Sequence, residues 1–205
     1  MFEDLSISLA NKQTRQTFQG QWRQFWVPAT GDNSLKAGLC IAINDIWWPS
    51  FLHYGILTCG RGHYVIFQLG LKKWGLLNIY APNHARDRTI LWKNIISQLP
   101  ATDHWAIAGD FNMLEDVCDR LGGTSQTSSG TELYEWERLI FSLDLMDLWH
   151  VPSFVRIQDS LAYSRSNRRE SHTNLSRLDR FYADKFLWDK GGSIGIIPSF
   201  SFSDH

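Results

Sequence analysis

The feature that most constrains this chain is a change of hydrophobic period near Pro82. Before it come short apolar runs broken by glycine turns; after it the apolar residues adopt a helical spacing. Gly38–Ile43 reads as a buried strand. Ile56–Cys59 and His63–Leu69 read as two strands joined by Gly60-Arg61-Gly62, and Leu71–Trp74 turns the chain into a third, Trp74–Tyr80. Connections this short predict an antiparallel meander. Leu91, Trp92, Ile95, Ile96 and Leu99 then stripe one helix that Pro100 ends. Trp105–Gly109 is apolar on both faces, as a strand covered on both sides is. A Gly/Ser/Thr loop, residues 122–130, leads into a second helix striped by Leu133, Trp136, Leu139, Ile140 and Leu143. Ser129 stands three residues before Glu132, a capping-box spacing. Leu161–Ser164 and Leu178–Ala183 predict strands flanking a polar, arginine-bearing hairpin loop. No repeat and no linker interrupts this order. The reading is one α/β domain over residues 1–205, with mainly antiparallel strands in two sheets.

Composition narrows the class. The chain has 205 residues, enough for a core without a disulfide or metal staple. Hydrophobic residues make up 43% and charged ones 20%, which excludes a disordered or collagen-like chain. The apolar runs are too short to span a bilayer, and the acidic start Met1-Phe2-Glu3-Asp4 is no signal peptide. Cys40, Cys59 and Cys118 lack zinc-ligand spacing and read as reduced thiols, so an intracellular, non-secreted protein is expected. A net charge of −1 excludes a strongly basic nucleic-acid coat but leaves room for a local basic patch. Ten tryptophans are first of all core material, and secondarily platforms for stacking.

Four short stretches carry candidate chemistry. In Gly109-Asp110-Phe111-Asn112 a carboxylate and a carboxamide follow a buried strand and share a face if the chain stays extended. An Asx turn is the competing reading. In Asn78-Ile79-Tyr80-Ala81-Pro82-Asn83, Asn78 and Tyr80 share a face, and the tyrosine hydroxyl can donate to a phosphate oxygen. In Ser176-Arg177-Leu178-Asp179-Arg180-Phe181, Asp179 needs a partner: a histidine, or an exposed ion pair with Arg177 or Arg180. The chain closes on Ser203-Asp204-His205, which taken alone is a polar terminus.

Taken in this order, the four stretches resemble the endonuclease/exonuclease/phosphatase superfamily, and within it the apurinic endonuclease-like domain of LINE-type non-LTR retrotransposons. The resemblance implies a deoxyribonuclease I-like fold, a four-layer α/β sandwich of two mainly antiparallel sheets flanked by helices. It implies metal-assisted phosphodiester hydrolysis: a Mg²⁺- or Mn²⁺-dependent endonuclease that nicks DNA for reverse transcription. Asp110 resembles the general acid or base, Asn112 its phosphate-holding neighbour, and Tyr80 the phosphate-contacting tyrosine. Asp179 resembles the carboxylate that orients the catalytic histidine, His205 that histidine, and Asp204 a metal ligand. Glu3 stands where a metal-binding glutamate is expected, with Phe2 in place of the usual glutamine. Asn78 and Ser164 are expected near phosphate, and Arg165, Arg168 and Arg169 in the hairpin are expected to touch DNA. Measured against the family, the domain lacks its first strand or strands and its extreme C-terminus. The resemblance further implies a parent protein with a reverse transcriptase, a monomer, and a nuclear site of action without membrane attachment. A phosphatase of the same superfamily and a catalytically dead remnant are the rival readings.

Overall fold

The computed structural model of the chain describes residues 21–27, 38–58, 60–122, 128, 130–157, 163–169 and 172–196, with backbone alone for 166–169, 172 and 173. Its first half runs β1 (Trp22–Val27), β2 (Leu39–Asn44), β3 (Phe51–Ile56), β4 (Gly62–Leu69), β5 (Lys72–Tyr80), α1 (Ala85–Gln98) and β6 (His104–Asp110). The second half adds β7 (Arg120–Leu121), α2 (Gly130–Ser142), β8 (Leu145–Asp147), β9 (Phe154–Arg156), β10 (Arg165–Arg169) and β11 (His172–Ser176). It ends with β12 (Asp179–Asp184), α3 (Lys185–Trp188) and β13 (Gly192–Ile194).

Six strands form the central sheet in the order β3-β4-β5-β6-β12-β8. The predicted meander is its first half, with β3, β4 and β5 antiparallel. Only β5 and β6 run parallel, because α1 carries the chain across between them. Strand β12 inserts antiparallel between β6 and β8, so a strand late in the sequence lies beside one in the middle.

Both faces of the sheet are covered. On one, α1 and α2 pack together and drive Leu91, Trp92, Ile95, Trp136 and Leu139 onto Ile79, Ile107 and Tyr182. Trp92 and Trp136 are fully buried, with ring centroids 4.9 Å apart, so the tryptophan-rich composition does fill the core here. On the other face, the β1–β2 hairpin lays Phe25, Ile41 and Ile43 over Val65, Phe67 and Trp74. The parallel pair β9–β13 covers Ala106 and Ala183 there with Phe154 and Ile194. A helical layer, the central sheet and a second β-layer are thus stacked among the described residues, where the resemblance implies four layers with helices outside both sheets. Among the described residues the second β-layer consists of two separate strand pairs rather than one sheet.

Three expectations shift. The first meander strand is Phe51–Ile56, not Ile56–Cys59. Leu57 is buried because the turn folds it inward, its N–H on the Gly62 carbonyl and the Gly60 N–H on its own carbonyl. The arginine-bearing loop is itself a hairpin, β10 paired with β11 from Arg165↔Ser176 to Arg169↔His172. The two-residue β7 pairs with β11, which makes β11 the middle strand of three. The strand expected at Leu161–Ser164 is not seen at residues 163 and 164, and Leu161 and Ala162 lie outside the described residues. Cys59 and the proposed cap Ser129 also lie outside them. No described helix is long and apolar enough to cross a membrane.

Candidate active site

Three of the singled-out residues form one transverse row at one end of the central sheet. Tyr80, the last residue of β5, is in register with Asp110, the last of β6. Asp110 is in register with Asp179, the first of β12. Registered residues on neighbouring strands share a face. Tyr80, Asp110 and Asp179 therefore project from the face turned away from α1 and α2.

The strand ends are stitched together. The Ala81 N–H donates to the Asp110 carbonyl at 2.8 Å, and the Asn112 side-chain amide donates to the Ala81 carbonyl at 2.8 Å. The Phe111 N–H donates to the Leu178 carbonyl at 2.9 Å, tying the exit of β6 to the entry of β12. Gly109 has φ +136, and a Cβ there would sit 2.0 Å from the Ile79 carbonyl oxygen, so only glycine lets β5 and β6 close up beside the row.

Asp110 and Asn112 do not share an extended face, because Asn112 has φ +46 and turns the chain out of the strand. Asparagine tolerates that left-handed conformation better than most residues. The Asp110 carboxylate accepts the Asn112 N–H at 2.8 Å, which is the Asx turn of the competing reading. The turn brings the Asn112 amide back over β5. Asp110 is itself buried, with 8% of its surface exposed.

Ser164 also has a defined place. Its hydroxyl oxygen accepts the N–H groups of both Leu178 and Asp179 at 2.9 Å, so it sets the first residue of β12. Asn78 lies two residues inside the row and donates to the Cys40 carbonyl at 3.0 Å, holding the β1–β2 hairpin against the sheet. Arg61, at the β3–β4 turn, places its guanidinium 5.5 Å from the Tyr80 ring centroid.

Beside the row lies a cleft of about 640 Å³ whose lining includes His84, Arg88, Asn112, Arg120 and Arg165. Asp179 and Ser164 border a second cleft of about 630 Å³. Arg168 and Arg169 follow Arg165 along β10, opposite Thr173 and His172. Glu3, Asp204 and His205 lie outside the described residues, so the expected metal ligands and the catalytic histidine are not placed. Among the described residues no group of three or more His, Cys, Asp or Glu side chains is arranged to hold a metal ion.

The exposed pairing weighed for Asp179 with Arg177 or Arg180 is not what those arginines do. Both are buried and turn to Asp119, which takes the Arg177 Nε at 2.9 Å and the Arg180 Nη2 at 2.7 Å. Burial pushes the Asp119 carboxyl up, but Arg180 and Arg177 outweigh it and hold it below its usual value. Beside them the Tyr182 hydroxyl donates to Glu115 at 2.5 Å, and burial drives its pKa well above the ordinary tyrosine value. A further buried pair joins Arg88 of α1 to Glu132 of α2, and Arg88 also donates to the Pro82 and Asn83 carbonyls. Sequence reasoning misses all of these buried pairs. The one signal for them on β12 is the alternation Arg180, Tyr182, Asp184, which puts three polar groups on one face of a central strand.

These elements make up the deoxyribonuclease I-like fold. An apurinic endonuclease from Archaeoglobus fulgidus superposes with a TM-score of 0.59 at 11% identity, over 89% of this chain and 73% of that one. The endonuclease domain of TRAS1, a telomere-specific non-LTR retrotransposon, superposes with a TM-score of 0.54 at 14% identity, over 91% and 83%. In sequence the chain is 25% identical, over 205 residues, to the transposon TX1 uncharacterized 149 kDa protein of Xenopus laevis. The match takes in 96% of this chain and spans 15% of the length of that relative. No family model matches the chain.

Proposed function

We propose that this chain is the endonuclease domain of a retrotransposon-encoded protein and hydrolyses phosphodiester bonds in DNA. The observation that carries the reading is the row Tyr80–Asp110–Asp179. Residues from three separate sequence stretches meet at one sheet end. In this reading Asp110 handles the proton of the attacking water or leaving oxygen. Asn112 and Tyr80 hold the phosphate, and Asp179 orients His205. Hydrolysis builds negative charge on phosphate oxygens, and a bound Mg²⁺ or Mn²⁺ would neutralise it. Asp204 and Glu3 offer the hard oxygen ligands such an ion prefers.

DNA is favoured over a small phosphoester by the arginines of β10, of which Arg165 lines the cleft beside Asn112 together with Arg120. The transposon relative, of which this chain spans a small part, supports a role within a larger protein. The test is a supercoiled-plasmid nicking assay with Mg²⁺, with EDTA, and with a small phosphomonoester as rival substrate. Nicking that EDTA abolishes, with no phosphomonoester turnover, is expected. Phosphomonoesterase activity without nicking would replace this reading with a phosphatase, and inertness on both would leave a folded remnant.

A further inference from the structure

Asp119 lies in the loop that leaves the site, and its buried carboxylate has partners on both oxygens. Oδ1 accepts the Arg177 Nε at 2.9 Å and stands 2.7 Å from its Nη2, a two-pronged grip by one guanidinium. Oδ2 accepts the Arg180 Nη2 at 2.7 Å and the backbone N–H groups of Glu115 and Asp116 at 3.1 Å each. The same Arg180 nitrogen donates to the Met113 carbonyl at 2.8 Å. The Arg177 N–H donates to the Asp119 carbonyl at 2.8 Å, and its Nη1 reaches Asp147 of β8 at 2.6 Å. One carboxylate thus anchors the whole loop 113–119 to the segment 177–180. The first begins directly after Asn112, and the second contains Asp179.

Stability alone is a weak reason for such a cluster. Well-packed apolar residues of similar volume generally match a buried ionic group in stability. Apolar contacts, however, are non-directional. The Arg177 and Arg180 guanidinium groups fix distance and angle between two chain segments, of which one follows Asn112 directly and the other contains Asp179.

We propose that Asp119, gripped by Arg177 and Arg180, is a positioning residue for the phosphodiesterase site. It holds the Asn112 turn and the register of Asp179 against Asp110. The catalytic half of this statement rests on the endonuclease reading; the geometric half does not. The test compares the full chain with its Asp119→Asn variant, which keeps shape and an acceptor oxygen but loses the charge. Two readouts are taken: steady-state nicking, and amide hydrogen exchange at Phe111, Asn112 and Asp179 with Ile107 in mid-β6 as reference. The expected result is a fall in kcat of about tenfold to a hundredfold with KM changed less than about twofold, as for a reacting group displaced by a fraction of an ångström. Exchange at Phe111, Asn112 and Asp179 should speed up at least about tenfold while Ile107 is unchanged. An unchanged kcat, or exchange that rises uniformly along β6, overturns the proposal by making Asp119 a structural ion pair only. If the parent chain does not nick DNA, the endonuclease reading falls, and the exchange pattern alone decides the geometric claim. If Asp119→Asn does not fold, Arg177→Lys takes its place. It keeps the charge and loses the fork, and the same local pattern is expected at smaller amplitude.

Discussion

Asp110 and Asp179 stand directly opposite one another on β6 and β12 at the mouth of the central sheet. Like charges facing each other across two strands destabilise a sheet. This chain nonetheless places them together where β5, β6 and β12 all end. Around them the backbone is fixed by the Asn112 N–H on Asp110, the Ser164 hydroxyl on the Asp179 N–H, and the Phe111–Leu178 bridge. The proposed phosphodiesterase chemistry gives that arrangement a purpose that stability alone does not.

Asp110→Asn separates chemistry from folding. An amide oxygen still accepts the Asn112 N–H, and the like-charge pairing disappears, so stability should change by no more than about 1 kcal/mol. Loss of a general acid or base should lower nicking by about a hundredfold or more. Thermal melting and plasmid nicking on the same preparation check this. A variant that melts normally and cuts at the parent rate removes Asp110 from the mechanism.

Gly109→Ala should damage both. The new methyl group would lie within 2.0 Å of the Ile79 carbonyl oxygen, and the backbone there is in a region that only glycine adopts freely. A loss of about 1–3 kcal/mol in urea unfolding is expected, with weaker nicking as β5 and β6 separate. An unaltered urea midpoint would mean that the strand ends adjust without cost.

Acid should weaken the fold through His63. Burial lowers its pKa from 6.5 to about 4, so it stays neutral in the folded chain. Between those values the unfolded chain binds a proton that the folded chain does not. Stability is therefore complete above pH 6.5 and falls as the pH drops towards 4, by up to about 1.4 kcal/mol per pH unit. Denaturant titrations across that window should show the slope in the parent chain and its loss in His63→Leu. Parallel curves for the two would assign acid sensitivity elsewhere.

Breaking the Arg88–Glu132 pair from one side should be costly. Glu132→Gln leaves a guanidinium buried against an uncharged group, at a cost of about 3–5 kcal/mol. The double change Arg88→Met with Glu132→Leu should recover most of it. Failure of the double variant to recover would give Arg88 a further task, held through its bonds to the Pro82 and Asn83 carbonyls.

Replacing Arg165, Arg168 and Arg169 together by Ala should weaken DNA binding and flatten its dependence on salt. The log–log slope should fall by about one for each phosphate that the arginines no longer neutralise. The slope is read from fluorescence anisotropy at several salt concentrations. An unchanged slope would leave the β10–β11 hairpin as a solvated surface.

Period and turns make the meander, both long helices and β6 legible in the sequence, because each carries its own signal in consecutive residues. The row Tyr80–Asp110–Asp179 is legible only through resemblance, since nothing local places β12 beside β6. The hairpin β10–β11 reads as a loop because its ladder is backbone pairing between polar residues, with no apolar alternation to mark it. Leu57 reads as part of a strand because an apolar residue tucked into a turn has the same composition as one in a sheet. The ties of Asp119 to Arg177 and Arg180 are invisible because the partners lie 58 and 61 positions apart, and charge alone does not say which acid a buried arginine will meet.

The place of β12 bears on when the site comes into being during synthesis. A ribosome delivers Tyr80 and Asp110 first, and the neighbours β5 and β6 can pair as soon as α1 has formed between them. Asp179 arrives only with the last strand of the central sheet, and it must slot between β6 and β8, both already made. Non-local strand insertion of this kind is slow compared with helix and hairpin formation. A nascent chain that has not reached β12 therefore holds the meander and both long helices but not the full row. The row is complete only after the domain has closed, and a translation product that ends before Asp179 lacks its third member.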